Sequence, residues 1–320
     1  MQWYCCVATV QQDLFMSIKN TFQGMSSWSQ LFFLCLFSFF GFITASLLSA
    51  VFAFILSGGT GDISIALEST NFLRLSQFCT VILWLFIPAY LCAYLYNDRP
   101  FKYLKINKPI NIKFTVIAIA LTFVAQPIIS FTAYYNEKIK LPESMAGIEN
   151  WIRATEKSSE VMLERLMAGG TISSLLISLF IIALMAAITE EFFFRGVMQQ
   201  IFNKITNNYH WAIWITAFIF SAVHMQFLGF VPRFLLGALL GYLFVWSGNL
   251  WVPIIVHFLN NAMGVFLHWM YYGTAEYDKI ENIGVKDSWW TTLLSVILTF
   301  VITAFLSKEY TNKIKTQNLR

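Results

Sequence analysis

Long apolar segments follow one another along most of the chain, and they constrain its fold more than any other feature. A helix needs about 20 mostly apolar residues to cross a bilayer. Soluble proteins average about 25% charged residues, whereas this chain of 320 residues has 12% charged and 58% hydrophobic residues. The sequence therefore predicts an all-α fold, a polytopic membrane helical bundle with about eight transmembrane helices. The candidate spans are approximately 31–57, 77–96, 114–134, 171–203, 210–228, 234–247, 251–271 and 289–306.

One segment between these spans has a different composition. Residues 136–168 mix acidic, basic and apolar side chains, and the apolar ones recur at roughly helical spacing. This pattern predicts an amphipathic helix on the membrane surface or across the end of the bundle, and a solvated loop helix is the alternative. No internal repeat divides the chain, so we treat residues 1–320 as a single integral membrane domain. The sixth span carries Gly237 and Gly241, which favour close helix packing.

The distribution of Lys and Arg predicts the orientation in the membrane. Loops that face the cytoplasm carry an excess of these residues. With both termini inside, the inner segments hold more of them than the outer ones, so we expect a multi-pass protein of a bacterial cytoplasmic membrane, N-in and C-in. The inner residues are Lys19, Arg99, Lys102, Lys105, Lys108, Lys113, Lys204, Lys308, Lys313, Lys315 and Arg320.

The composition also limits which partners the protein can bind and which functions its cysteines can have. The net charge of +4 is small, and we expect the lipid bilayer rather than nucleic acid as a partner. The oligomeric state, the role of the first 110 residues and the true start (Met16 and Met25 are alternatives) stay open. No signal peptide is expected. Because the five cysteines form no CxxC pair, they receive no function: Cys5, Cys6, Cys35, Cys79 and Cys92.

Charged residues are nearly absent from the candidate spans, and the exception is the fourth. Ionisable groups at membrane depth are costly and mark a functional site or a buried pair. Glu191 and Arg195 are four residues apart on a helix, so we expect them to form an ion pair. Glu190 then points about 100° away and is free for chemistry. The alternative is that the helix ends near residue 189 and the charges lie among the lipid headgroups.

Two histidines and an asparagine lie in apolar helical settings nearby. His257 and Asn261 share one face of the seventh helix, and His224 ends an apolar run of the fifth. At about 1.5 Å per residue, Glu190 and His224 lie roughly 20 Å from the cytoplasmic ends of their helices. Asn261 lies at about 17 Å and His257 at about 10 Å, so His257 fits least well. We expect the four side chains to converge near the middle of the membrane.

These residues resemble the motifs of a known family. The patterns Glu190-Glu191-x-x-x-Arg195, Phe220-x-x-x-His224 and His257-x-x-x-Asn261 are similar, in that order, to those of the CPBP family of CAAX prenyl endopeptidases, also called the Abi or type II CAAX proteases. The resemblance is to bacterial members and covers residues 171–271, the predicted catalytic core. It implies an intramembrane endopeptidase acting on a membrane-associated protein or peptide. The substrate and any recognition of a prenyl group stay open.

The resemblance also implies roles and alternatives. Glu190 would activate water as the general base, assisted by His224, and His257 and Asn261 would stabilise the oxyanion. Glu191 and Arg195 would hold the site together. A metal-free mechanism is favoured, and the alternative is zinc on His224, His257 and Glu190. Two other classes of function remain: a non-proteolytic bacteriocin-immunity or scaffolding protein of the same fold, and a proton-coupled transporter.

Overall fold

The computed structural model describes residues 19–60 and 62–318, and in these ranges the chain forms helices and turns without a strand. The predicted all-α bundle is confirmed. Cys5, Cys6, Met16 and Arg320 lie outside the described residues. The helices are α1 (Ser27–Leu56), α2 (Ile63–Glu68), α3 (Thr70–Tyr96), α4 (Pro100–Tyr103), α5 (Ile112–Glu137), α6 (Ala146–Met167), α7 (Ile172–Thr206), α8 (Tyr209–Ala222), α9 (Phe230–Ser247), α10 (Trp251–Tyr271), α11 (Ala275–Glu281) and α12 (Trp289–Asn318), with short 3-10 turns at Glu143–Met145 and Lys286–Ser288.

Seven helices in the described part of the chain are long and apolar enough to cross a membrane. They are α1, α3, α5, α7, α9, α10 and the segment Lys286–Asn312, which includes most of α12. The span predicted at 210–228 is shorter than expected, because α8 has 14 residues and ends at Ala222. At 1.5 Å per residue it extends about 21 Å, less than the roughly 30 Å of a bilayer core. Residues 223–229, including His224, form the connection to α9.

Local sequence sets where several of these helices begin. The side chain of Asn111 accepts a hydrogen bond from the backbone N–H of Phe114 at 3.1 Å, at the start of α5. Asn208 does the same for His210 at 2.8 Å, at the start of α8. Such caps satisfy backbone donors that the first turn leaves unpaired.

Hydrogen bonds and one ion pair identify the chain segments that meet at one end of the bundle. Asn249 donates to the carbonyl of Lys108 at 2.9 Å, and Gln200 donates to the carbonyl of Tyr103 at 2.9 Å. We call this the basic end, because its exposed loops and helix ends are rich in Lys and Arg. The ion pair Lys113–Glu309 (3.1 Å) adds the end of α12 to it.

The opposite end is covered by α6, the helix that forms within the segment predicted to be amphipathic. Trp151 packs against the ring of Phe227, with centroids 5.5 Å apart. Glu156 accepts a hydrogen bond from the backbone of Leu228, and burial raises the pKa of its carboxyl group. The side chain of Asn136, at the end of α5, donates to the carbonyl of Phe227 at 2.9 Å. These contacts hold the connection that carries His224, so α6 lies across the end of the bundle.

Close packing around α7 depends on two glycines of α9, as their position in the span predicts. A Cβ at Gly237 would lie 3.1 Å from the ring of Phe220, and one at Gly241 would lie 2.8 Å from Gln199 Oε1. The open backbone also offers acceptors, because Gln199 donates to the carbonyl of Gly241 at 3.2 Å. Helix α9 therefore lies against both α7 and α8, which brings polar groups of α7 beside backbone carbonyls of α9.

Candidate active site

Two charged residues of α7, Glu191 and Arg195, are buried inside the bundle. Arg195 and Glu191 have fully buried side chains, and Arg195 donates to Glu191 Oε1 at 2.6 Å. Arg195 also donates to the carbonyl of Gly237 at 2.9 Å, and its guanidinium lies 4.7 Å from the centre of the Phe220 ring. The ion pair expected from their spacing is present, and α7 continues to Thr206, well beyond residue 189.

His257 joins this pair from α10. Its Nδ1 lies 2.8 Å from Glu191 Oε1, and its ring is almost fully buried. Because an ionised carboxylate only accepts hydrogen bonds, Nδ1 carries the proton. The other ring nitrogen, Nε2, lies 3.8 Å from Glu190 Oε2. Glu191 therefore orients the imidazole so that Nε2 faces Glu190.

The contact between His257 and Glu190 differs from the estimate made with straight α-helices, in which His257 was the residue whose depth matched that of Glu190 least well. Helix α7 is interrupted by two π-helical segments, Leu179–Met185 and Phe192–Met198, on either side of Glu190. A π-helix has more residues per turn and advances less per residue than an α-helix. The segment Phe192–Met198 lies between Glu190 and the basic end, so Glu190 lies nearer that end than α-helical spacing gives, which reduces its difference in depth from His257.

Glu190 differs from its neighbour in exposure and in partners. Its side chain is 14% exposed, whereas that of Glu191 is fully buried. Among the described residues it accepts no hydrogen bond, and its carboxylate approaches His257 Nε2 at 3.8 Å. The carboxylate thus keeps oxygen lone pairs free and has access to the space around the site.

His224 lies in the turn that follows α8 and not on a helix that continues to residue 228. Its Nδ1 lies 2.7 Å from the carbonyl of Phe220, so Nδ1 donates and Nε2 is left as an acceptor in the neutral ring. The Phe220 ring contacts both histidines, with centroids 5.2 Å from His224 and 6.0 Å from His257. Met225, directly after His224, has φ +54° and turns the chain away from the helix axis.

Asn261 lies one turn beyond His257 on the same face of α10. Its side-chain amide donates to the carbonyl of Ile182 in the first π-helical segment at 3.4 Å. No hydrogen bond joins it to Glu190, His224 or His257 in the described ranges. The structure therefore brings Glu190, Glu191, Arg195, His257 and His224 together, whereas Asn261 borders the site from the side of Ile182.

The sequence pattern missed two arginines, the buried Arg74 and the partly buried Arg233, because the predicted spans began too late. Helix α9 begins at Phe230 and so contains Arg233, and α3 begins at Thr70 and contains Arg74. Arg233 donates to the side chain and the backbone carbonyl of Gln226, and its charge acts on both Glu190 and Glu156. The sequence signal that would have identified Arg233 is its position as an ionisable residue directly before an apolar run.

Arg74 holds together the far end of the bundle rather than the site. Its guanidinium donates to the carbonyls of Leu166 and Ala168 at 3.0 and 2.9 Å and to Ser178 Oγ at 3.2 Å. The two carbonyls belong to the end of α6, where no further helical turn can pair them. Arg74 therefore ties α3 to α6 and α7.

The residues considered for zinc are His224, His257 and Glu190, and their ring nitrogens and carboxylate can be compared with a zinc ligand set. A catalytic zinc needs three protein ligands at about 2.0–2.2 Å from one point. In the part of the chain that the structure describes, no three His, Cys, Asp or Glu side chains are gathered to hold a metal. His257 Nδ1 is bonded to Glu191 and His224 Nδ1 to a backbone carbonyl. Because both bonds use Nδ1, Nε2 of each histidine is the nitrogen that would bind a metal.

Comparison with known proteins confirms the resemblance seen in the motifs. Residues 172–263 match the family model described as type II CAAX prenyl endopeptidase Rce1-like. The site residues Glu190, Glu191, Arg195, His224, His257 and Asn261 all lie within this match. This part of the chain is thus similar to the type II CAAX protease family, also called the CPBP family.

Three curated bacterial proteins are similar over part of their length. The membrane-embedded CAAX protease MroQ of Staphylococcus aureus (strain USA300) is 32% identical over 95 residues, which are 28% of this chain and 38% of MroQ. The uncharacterized protein YpbD of Bacillus subtilis (strain 168) is 34% identical over 86 residues, 26% of this chain and 41% of YpbD.

The third relative is the uncharacterized 24.3 kDa protein of Escherichia coli. It is 28% identical over 120 residues, 35% of this chain and 54% of that protein. The chain thus matches between 38% and 54% of the length of these relatives. No solved structure matches the chain.

Proposed function

We propose that the protein is an intramembrane endopeptidase that hydrolyses a peptide bond in a membrane-associated protein or peptide. The observation that carries the proposal is the contrast between two adjacent carboxylates. Glu191 is fully buried and bonded to Arg195 and His257, whereas Glu190 is partly exposed and accepts no hydrogen bond in the described ranges. A general base needs a free lone pair and access to water. Glu190 meets both needs. Glu191 has no access to water, because its side chain is fully buried, although its Oε2 accepts no hydrogen bond in the described ranges.

In the proposed reaction, Glu190 removes a proton from a water molecule as the water oxygen bonds to the scissile carbonyl carbon. The carbonyl oxygen becomes an oxyanion. The bond from carbon to the amide nitrogen then breaks, and the protonated Glu190 returns its proton to the leaving nitrogen. His224 assists by accepting a hydrogen bond from the same water at Nε2, since its Nδ1 is bonded to the Phe220 carbonyl.

His257 is proposed to stabilise the oxyanion. Its Nδ1 donates to Glu191, so a second proton on Nε2 makes it an imidazolium that can donate to the oxyanion. Glu190, Glu191, Arg195 and such an imidazolium together carry no net charge, which suits a site inside a bilayer. Asn261 supplies a further donor, because its amide has two hydrogens and Ile182 takes one. Removing one oxyanion donor typically costs about 2.7–4 kcal/mol of transition-state stabilisation.

An apolar groove beside the site supports access from the lipid. The groove has a volume of about 500 Å³ and is lined by side chains of α1, α3, α7 and α8, among them Phe39, Trp84, Phe193 and Val223. Val223 directly precedes His224, and Phe193 lies three residues beyond Glu190. An extended segment of a membrane-associated substrate is proposed to approach the scissile position along this face.

The orientation N-in and C-in in a bacterial cytoplasmic membrane is also proposed. It is supported by the concentration of Lys and Arg at the basic end, since positive loops stay in the cytoplasm. In this orientation α6 lies outside the cytoplasm.

Comparative membrane proteomics tests the proposed activity. Cells that lack the protein are complemented with the wild type, with Glu190→Gln, or with Glu68→Gln. Glu68 lies on α2 and is exposed, so Glu68→Gln makes the same chemical change outside the site. We expect at least one membrane protein to accumulate uncleaved with Glu190→Gln alone. Identical peptide profiles for the three strains, with equal amounts of each variant in the membrane, would overturn the proposal.

A metal-free mechanism is part of the proposal, and it is tested separately. The purified wild type is analysed for bound metal and treated with a chelator before the cleavage assay. We expect no stoichiometric zinc and full activity after chelation. One zinc per chain, with activity lost to the chelator and restored by zinc, would overturn the metal-free mechanism but not the peptidase.

A further inference from the structure

A polar cleft opens at the basic end, away from the site of Glu190. Its volume is about 520 Å³, within the range of ligand pockets in proteins. It lies where α1, α3, α4 and α7 meet, between Gln30 near the start of α1 and Gln200 near the end of α7. We call it the basic cleft.

Four cations and one carboxylate line the basic cleft. The cations are Arg99, Lys102, Lys105 and Lys204, and the carboxylate is Asp98. Asp98 approaches Arg99 at 3.9 Å, and both side chains are mostly exposed. The three lysines form no ion pair with a carboxylate among residues 19–60 and 62–318. The cleft thus holds an excess of positive charge.

Two hydrogen bonds hold parts of the basic cleft in place before any ligand binds. The carbonyl of Lys105 accepts a hydrogen bond from the backbone N–H of Leu250 at 3.1 Å. The Lys204 ammonium donates to Gln30 Oε1 at 3.3 Å. Burial and the neighbouring Lys108 lower the pKa of Lys105, so its cationic form is penalised until an anion lies nearby. The Tyr103 hydroxyl, on a residue that also lines the cleft, is buried without a hydrogen-bond partner in the described ranges.

We infer that the basic cleft binds a phosphate group, as carried by an anionic phospholipid headgroup or by soluble phosphate. Several cations around one space match the oxygens of a phosphate. The cleft lies at the ends of the spanning helices, at headgroup level, and basic pockets between membrane helices bind anionic headgroups. The inference is independent of the proposed peptidase activity, because it uses no residue of that site.

Binding is tested on the purified full-length protein in dodecyl maltoside by its shift in melting temperature. Three probes are titrated: dioctanoyl phosphatidylglycerol, dioctanoyl phosphatidylcholine and inorganic phosphate. We expect saturable stabilisation by phosphatidylglycerol and none by phosphatidylcholine. Equal stabilisation by inorganic phosphate would identify soluble phosphate as the source, and its absence would identify the lipid. No saturable effect from phosphatidylglycerol or from phosphate would overturn the inference.

Variants assign the binding to the basic cleft. Lys102→Gln with Lys204→Gln should weaken binding about 30-fold, which corresponds to about 2 kcal/mol at about 1 kcal/mol per cation. The matched control is Lys140→Gln with Lys279→Gln, two exposed lysines at the α6 end, and it should bind as the wild type does. If the first pair fails to fold, Arg99→Gln with Lys102→Gln replaces it, since both side chains are exposed. Equal weakening in cleft and control pairs, or none in the cleft pair, would overturn the assignment.

Discussion

Replacing Arg195 by Met tests whether the charges of α7 are buried partners of one another. Met has a similar length and no charge, so it keeps much of the packing against Phe220. The change removes a 2.6 Å contact to Glu191 and a 2.9 Å hydrogen bond to the Gly237 carbonyl. Glu191 stays fully buried and keeps only His257 as a partner. Removing one partner of a buried ion pair costs about 3–5 kcal/mol, and we expect Arg195→Met to lower the free energy of unfolding by that amount.

A double-mutant cycle separates the pair from the loss of packing. Glu191→Gln leaves the Arg195 cation without its carboxylate and should cost a similar amount. The double variant leaves no unpaired buried charge, so its cost should fall below the sum of the two single costs by at least about 1 kcal/mol. The free energies are measured by steric trapping of the unfolded state in bicelles.

The matched control is Arg153→Met on α6. Arg153 and Glu149 have the same four-residue spacing and a 2.9 Å contact, but the two side chains are 40% and 21% exposed. Exposed ion pairs contribute little, so this variant should lose clearly less stability than Arg195→Met. Additive costs in the cycle, or a loss for Arg195→Met no larger than that of the control, would refute the argument that buried charge organises the site.

Three further predictions concern packing, the far end of the bundle and pH. Gly241→Ala places a Cβ 2.8 Å from Gln199 Oε1 and 2.9 Å from Ile213, and it should destabilise the protein by about 1–3 kcal/mol. The control Gly264→Ala should not, because its Cβ would meet nothing within 4 Å. Equal melting temperatures for the two variants would contradict this prediction. Arg74→Met loses three hydrogen bonds to the ends of α6 and α7, and it should lower the free energy of unfolding by about 2 kcal/mol or more. Proteases should then cut residues 136–168 faster than in the wild type. An unchanged rate of proteolysis would contradict this prediction. Burial raises the pKa of Glu156, so the folded state favours the protonated carboxyl group and loses stability as the pH rises through that pKa. Glu156→Gln should therefore raise the melting temperature at pH 7 and leave it unchanged near pH 4. A difference in melting temperature that does not depend on pH would contradict this origin.

Much of the site was predictable because its signals are local in sequence. The four-residue spacing of Glu191 and Arg195 predicts their ion pair, and the 2.6 Å contact confirms it. The order of three motifs on apolar helices predicted the family, which the match over residues 172–263 confirms. The membrane-spanning class followed from composition alone, because only 12% of the residues are charged and 58% are hydrophobic.

The remaining features depend on helix geometry and on packing between distant segments. No residue pattern predicts the two π-helical segments of α7. The segment Phe192–Met198 places Glu190 nearer the basic end, and so closer in depth to His257, than regular α-helical spacing gives. The end of α8 at Ala222 depends on contacts of residues 223–229 with α6, which lies far away in sequence. Arg74 and Arg233 were missed because hydropathy places the start of a span at its first apolar residue. The helices α3 and α9 begin before that residue, and carbonyls or polar side chains accept hydrogen bonds from each arginine there.

The most direct test of the central claim is the activity of Glu190→Gln on a substrate found by the proteomic comparison. Wild type, Glu190→Gln and Glu68→Gln are reconstituted in proteoliposomes, and kcat/KM and the free energy of unfolding are measured for each. General bases contribute about 10²–10⁴-fold in rate, so we expect Glu190→Gln to lose at least 100-fold in kcat/KM with stability unchanged, and Glu68→Gln to match the wild type. A Glu190→Gln enzyme within tenfold of the wild type would contradict the assignment of Glu190 as the base.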